Sequence, residues 1–185
     1  MDLKKNKSEE QQLIDRCKNC EPWAQKKMYE LHASTMMSVC VRYVSDKEIA
    51  KDVLQDGFVK VFTKIDTYSE VGSFEGWMRR IFVTTSLEYL RRNDVLKQSA
   101  NIDEYDEFIE NDNVAVIDKI SADDLMTCIA GLSDGYRTVF NMYAIEGYSH
   151  QEIAKVLNIS ENTSRSQFMR ARKILQKNVQ QLFNY

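Results

Sequence analysis

Apolar residues recur along this chain every three or four positions, in blocks separated by short polar breaks, which is the helical period. Leu13, Ile14 and Cys17 form one apolar face of a short helix over residues 9–19. Pro22 suits the first turn of a second helix, which runs through Met28, Leu31 and Met36 to Val44. Ser45 followed by Glu48 has the form of a capping box for a third helix, SDKEIAKDVLQDGFVKVFTKI. Its apolar positions are Ile49, Val53, Leu54, Phe58, Val61 and Phe62. DTYSEVGS breaks the pattern, and Ser73 can cap a fourth helix, FEGWMRRIFVTTSLEYLRRN. Four helices of this length can bury one core. Periodicity then weakens over residues 98–120, which read as a mostly irregular tether with room for a short helix around 105–109. It returns at Ser121 with ADDLMTCIAGL and GYRTVFNMYAIEG. The expectation is an all-α chain of two small helical domains, residues 8–97 and 121–185, joined by a linker over 98–120.

The last pair of helices carries the most specific pattern. Ser149 and Glu152 form a second capping box, and the helix they open buries Ile153, Ala154, Val156 and Leu157. Asn158 tolerates the left-handed conformation that ends a helix, and Ser160 can cap the next. So short a turn, with Ile159 inside it, predicts a helix-turn-helix. In its second helix Ser164, Phe168, Ala171 and Leu175 make one inward stripe. Asn162, Arg165, Ser166, Met169 and Arg170 then lie elsewhere, most of them outward. Such a helix can place short polar groups against base edges while its cations hold phosphates. The same pattern also fits a solvated basic face on an ordinary helical hairpin.

Composition sharpens this picture in three places. With one Pro and six Gly in 185 residues, breakers are too few for many short strands and tight turns. No apolar run approaches the ~20 residues of a membrane span, and the charged start MDLKKNKSEEQQ lacks the apolar stretch of a signal peptide. A cytoplasmic protein with no membrane contact of its own is expected. The net charge of −3 conceals a strong asymmetry. Residues 101–124 hold nine acids and one base, whereas residues 149–185 hold six bases and two acids. Local charge is therefore the better guide to partners.

Catalytic chemistry finds little support. Cys17 and Cys20 form a C-x-x-C, but a zinc site needs four ligands, and His32 and Cys40 are the only near candidates. Cys40 sits in an apolar helical stretch and fits core packing. His32 and His150 are the only histidines, with His150 expected to be exposed in the first turn of its helix. A glycine loop for nucleotides and a nucleophile–base pair are both missing from the sequence. No metal, no cofactor and no enzymatic activity are expected.

DKEIAKDVLQDGFVKVF, SFEGWMRRIFVTTSLEYLRR and LSDGYRTVFNMYAIEGYSHQEIAKVLNISENTSRSQFMRARKIL, in that order and spacing, resemble regions 2 and 4 of a bacterial RNA polymerase sigma factor. The resemblance is to the extracytoplasmic-function (ECF) group and covers nearly the whole chain. It implies that Asp52, Gln55, Asp56 and Phe58 dock on the polymerase clamp. The solvent face of an amphipathic helix is the plainer reading of the three polar residues. The segment 68–74, bounded by Tyr68 and Phe74, matches the loop that captures a flipped base of the −10 element. Trp77, Arg79, Arg80, Thr84, Glu88, Arg91 and Arg92 lie on or near the helix facing that element, although Trp77 equally has the spacing of a core residue. Asn162, Thr163, Arg165, Ser166, Met169 and Arg170 match the residues that read the −35 element.

The chain departs from the family pattern at several places. Thr84 stands where Asn is frequent, and Glu88 where Asp or Asn is. LSDGYR replaces a Leu-Pro, with Ser133 able to cap instead. Ser164 replaces a branched apolar residue. By the resemblance the acidic linker follows the positively lined RNA-exit path. The implied partners are core RNA polymerase, through its clamp and flap, promoter DNA and an anti-sigma factor. A stand-alone helix-turn-helix regulator is the alternative function, and an adaptor without a DNA role the third.

Overall fold

The computed structural model describes residues 2–93 and 121–183. The expected linker over 98–120, with its short helix around 105–109, lies outside the described residues. The described residues form helices α1 (Asp2–Lys18), α2 (Pro22–Val44), α3 (Lys47–Lys64), α4 (Phe74–Arg92), α5 (Ala122–Ala130), α6 (Asp134–Phe140), α7 (His150–Leu157) and α8 (Glu161–Phe183). A single 3₁₀ turn, Ile65–Thr67, follows α3, and a π-helical turn, Asn141–Ile145, follows α6. The chain divides into two compact units, Met1–Tyr89 and Leu90–Tyr185.

In the first unit α2 packs against α1 and α3. Helix α1 begins at Asp2 rather than at Glu9, because the Lys, Glu and Gln residues ahead of its apolar face are good helix formers. Pro22 does occupy the first turn of α2. Ser45 does not cap α3. It takes the left-handed conformation that closes α2, with φ 60°, and its N–H bonds the Val41 carbonyl. Asp46 is the true cap, accepting from the Glu48 and Ile49 N–H groups at 2.8 and 3.1 Å. A carboxylate there satisfies two orphan donors and favours the positive end of the helix.

The core of this unit is assembled from Met28, Met36, Cys40, Val61, Met78 and Phe82, each fully buried. Gly57 lets α3 approach the Phe82 ring closely; a Cβ there would fall 2.5 Å from Phe82 Cδ1. Along α4 the hydroxyls of Thr84, Thr85 and Ser86 each donate to the carbonyl four residues back, at 2.8–2.9 Å. This back-bonding gives every one of these hydroxyls a partner, including those of the buried Thr85 and Ser86.

In the second unit Ser121 caps α5, and Cys128, Ile129, Leu132, Ala171 and Leu175 form a core between α5 and α8. Ser133 precedes α6 but makes no side-chain cap. The junction is held instead by Arg137, 3% exposed, which donates to the Leu132 carbonyl at 2.7 Å and pairs with Asp134. A buried guanidinium is tolerated because a carboxylate and carbonyls meet its fork.

Candidate nucleic-acid interface

The turn between α7 and α8 forms as its sequence dictates. The Ser149–Glu152 capping box is complete, with the Ser149 N–H bonded to Glu152 Oε2 at 2.8 Å. Asn158 is left-handed at φ 55°, and the Thr163 N–H bonds Ser160 Oγ at 2.9 Å. Only Ile153 of the α7 residues is fully buried; Ala154, Val156 and Leu157 are half-buried, as a short helix at the rim of a small core must be.

Helix α8 sorts its side chains by face. Ser164, Ala171 and Leu175 are buried and Phe168 half-buried. Asn162, Arg165, Ser166, Met169 and Arg170 are exposed, Met169 to 53%. Arg172 and Lys173 extend the positive surface, and Glu161 is the one acid of α8. Arg165 pairs with Glu161 at 2.5 Å, while Arg170 is steadied from α6 by the Tyr136 hydroxyl at 3.4 Å. Thr163 departs from this set. Its hydroxyl lies 2.8 Å from Ser160 Oγ, within the cap, so it shapes the helix start rather than facing outward.

His150 is half-buried rather than exposed. Its ring stacks on Tyr143 with centroids 4.2 Å apart and meets Phe168 edge-on at 5.9 Å. Burial, then the Arg165 charge, lowers its pKa against the opposing pull of Glu161. The π-helical turn carries Tyr143 into this stack, a feature that side-chain periodicity does not reveal.

In the first unit Arg80, Thr84, Glu88 and Arg91 follow one another at four, four and three positions along α4. All stand at its surface, with Glu88 half-buried. Tyr68 and Phe74 do not present their rings to solvent. They are 8% and 1% exposed and pack edge-to-face at 5.1 Å, with the half-buried Trp77 stacked on Phe74 at 5.4 Å. Burial raises the Tyr68 phenol pKa, and its hydroxyl donates to the Gly72 carbonyl at 2.9 Å. These aromatic rings pin both ends of the segment 68–74. Its exposed apolar group is Val71, 84% exposed between Glu70 and Gly72, both at positive φ. Gln11 of α1 bonds Glu70 Oε1 at 2.9 Å, so α1 also holds the loop. Sequence periodicity cannot locate Val71 or Gln11, because loop geometry and long-range pairing assign them.

On α3, Asp52, Gln55 and Asp56 are exposed. Phe58 is not, being 3% exposed among Tyr29, Phe62 and Phe82. Hydrophobicity drives that large ring inward, and Val59, 62% exposed, is the apolar neighbour of the acids instead. Buried Cys17 and Cys40 are pushed up to about 11 and about 12 by burial, which keeps them protonated thiols. Among the described residues no group of three or more His, Cys, Asp or Glu is arranged to hold a metal ion.

Comparison with known proteins matches this arrangement in both units. The model of Sigma-70 region 2 matches residues 28–95, and that of Sigma-70, region 4 matches residues 122–175. The chain is 30% identical over 147 residues to the ECF RNA polymerase sigma factor SigE of Mycolicibacterium smegmatis, covering 78% of this chain and 57% of that protein. It is 28% identical over 185 residues to the RNA polymerase sigma-H factor of Pseudomonas aeruginosa, covering 94% of this chain and 95% of that one. Its fold resembles that of the sigma factor RpoE from Bartonella quintana, solved in complex with the anti-sigma factor NepR. That likeness has a TM-score of 0.51 at 19% identity and covers 84% of this chain and 96% of that one. With regions 2 and 4 both present in order, the chain belongs to the sigma-70 family as an RNA polymerase sigma factor of the ECF type.

Proposed function

We propose that this sigma factor divides its work by surface. Residues 8–97 dock on the polymerase clamp through Asp52, Gln55 and Asp56, with Val59 as the apolar contact beside them. Acceptors next to an exposed apolar group suit an arginine-bearing partner helix. The outward stripe of α4, from Trp77 through Arg80, Thr84, Glu88 and Arg91, faces the −10 element, and the Val71 loop receives the extruded base. Extrusion costs a few kcal/mol, which a pinned loop can offset because it is already ordered. Residues 121–185 read the −35 element through Asn162, Arg165, Ser166, Met169 and Arg170, with Thr163 setting the helix start.

One observation carries this reading: the exposed polar and basic face of α8 stands directly opposite its buried stripe. The chain binds and positions; bond formation belongs to the polymerase. Low net charge limits attachment to DNA at large, since nonspecific affinity is mainly electrostatic. An anti-sigma protein that covers a DNA-facing surface is the expected regulator. The site of action is the cytoplasm, and no described helix is long and apolar enough to cross a membrane.

Co-elution with core polymerase, followed by run-off transcription, tests the proposal. Promoter-dependent transcripts that need this chain support it. Tight DNA binding without polymerase would favour the stand-alone regulator, and binding to neither would favour an adaptor.

A further inference from the structure

Glu88 is an unexpected residue on a surface meant for a polyanion. It lies in the stripe of α4 between Thr84 and Arg91, where an isolated carboxylate would repel phosphates. It is not isolated. Lys60 of α3 donates to Glu88 Oε2 at 2.5 Å, the lysine side chain being 30% and the glutamate 44% exposed. The other carboxylate oxygen, Oε1, takes no hydrogen bond among the described residues. Beside it the Thr84 hydroxyl proton is committed to the Arg80 carbonyl, so Thr84 can offer only acceptor lone pairs. Thr84 and Glu88 themselves therefore present only acceptors here, and the donors beside them are the remaining N–H groups of Lys60.

We infer that Glu88 reads an amino-bearing base of the −10 element, cytosine or adenine, and that Lys60 is its positioning residue. A carboxylate oxygen accepts from cytosine N4–H or adenine N6–H. On the major-groove edge the same oxygen meets guanine O6 or thymine O4 acceptor to acceptor and is repelled. Lys60 acts twice. It cancels the glutamate charge before phosphates approach, and it occupies Oε2, leaving Oε1 of the 44% exposed side chain to accept from a base. A lysine on α3 thereby becomes part of the −10 surface of α4. The inference rests on the proposed placement of α4 against the −10 element.

The test uses the full chain with core polymerase on templates carrying all four bases at each −10 position. The wild-type chain should prefer cytosine or adenine over guanine and thymine at one position by about tenfold. Glu88→Gln, which offers both a donor and an acceptor, should flatten that position alone. Lys60→Met should flatten it too, with core binding retained, and Lys60→Arg should keep the preference. The exchanged pair Lys60→Glu with Glu88→Lys should move the preference to guanine or thymine. A purely structural ion pair would leave every profile unchanged. Identical profiles for the wild type, Glu88→Gln and Lys60→Met overturn the inference while the sigma assignment of α4 stands. A wild-type chain that initiates on no template sinks that assignment and this inference together.

Discussion

His150 Nδ1 stands 3.0 Å from Ser164 Oγ, joining the first turn of α7 to the inward face of α8. Ser164 is fully buried where the family favours a branched apolar side chain. A buried hydroxyl without a partner costs about 1–3 kcal/mol, and the imidazole removes that cost. The Tyr143 stack then holds the ring in place. His150 thus offsets the departure at Ser164 across the helix-turn-helix.

Ser164→Ala should lower the unfolding free energy of the second unit by about 1–2 kcal/mol, because it strands the imidazole nitrogen. Urea melts of Ser164→Ala, His150→Ala and the double variant form the check. A coupling of about 1 kcal/mol is expected, whereas strictly additive losses would mean that the contact contributes nothing.

The second unit should lose stability in mild acid. Burial and Arg165 hold the folded His150 pKa below the ordinary histidine value of 6.5. On acidification the unfolded chain therefore takes up its proton first, and stability falls as pH drops from 6.5 through the folded value. Above 6.5 the contribution is complete and flat. His32, lowered by burial against Glu75 and Glu10, gives the same sign in the first unit. Urea midpoints across this range should show a shallower acid slope in His150→Phe, and an unchanged slope would contradict the assignment.

Gly57→Ala should destabilise the first unit by about 1–3 kcal/mol despite the better helix propensity of alanine. The new Cβ would press on the Phe82 ring, which is fully buried and has nowhere to move. Thermal melting decides this, and a melting point at or above the wild-type value would show that α3 and α4 do not approach as described.

Arg165→Ala should weaken −35-dependent transcription by about 1–3 kcal/mol, roughly a factor of 5 to 150. Its exposed pair with Glu161 is worth little to the fold, so unfolding should barely change. Unaltered promoter output with a stable protein would remove Arg165 from the reading face.

Asp56→Arg should abolish co-elution with core polymerase while leaving the helical signal and melting intact, since Asp56 is exposed on α3. Retained co-elution would move the docking surface elsewhere.

Local rules made much of this molecule legible in advance. The Ser149–Glu152 box, the Asn158 turn, the Ser160 cap and the stripe from Ser164 to Leu175 are settled by neighbours within four residues. Periodicity suffices for such features. The misreadings came where two local options compete. Ser45 and Asp46 could each cap α3, and the left-handed closure of α2 took Ser45. Ser133 could cap α6, but Arg137 reached back to the Ala130 and Leu132 carbonyls.

By itself the sequence determined the helices, their order, the two regions and the polar face of α8, because helical spacing and capping are short-range properties. Helical spacing already set Phe58 on an apolar stripe; only the tertiary structure decided that Tyr68 and Phe74 turn inward while Val71 faces solvent. An apolar residue's side of a helix or loop depends on which neighbour can cover it. Only folding brought Lys60 to Glu88 and His150 to Ser164. Those partners stand far apart along the chain, and no spacing rule links charges or polar atoms that meet solely through packing.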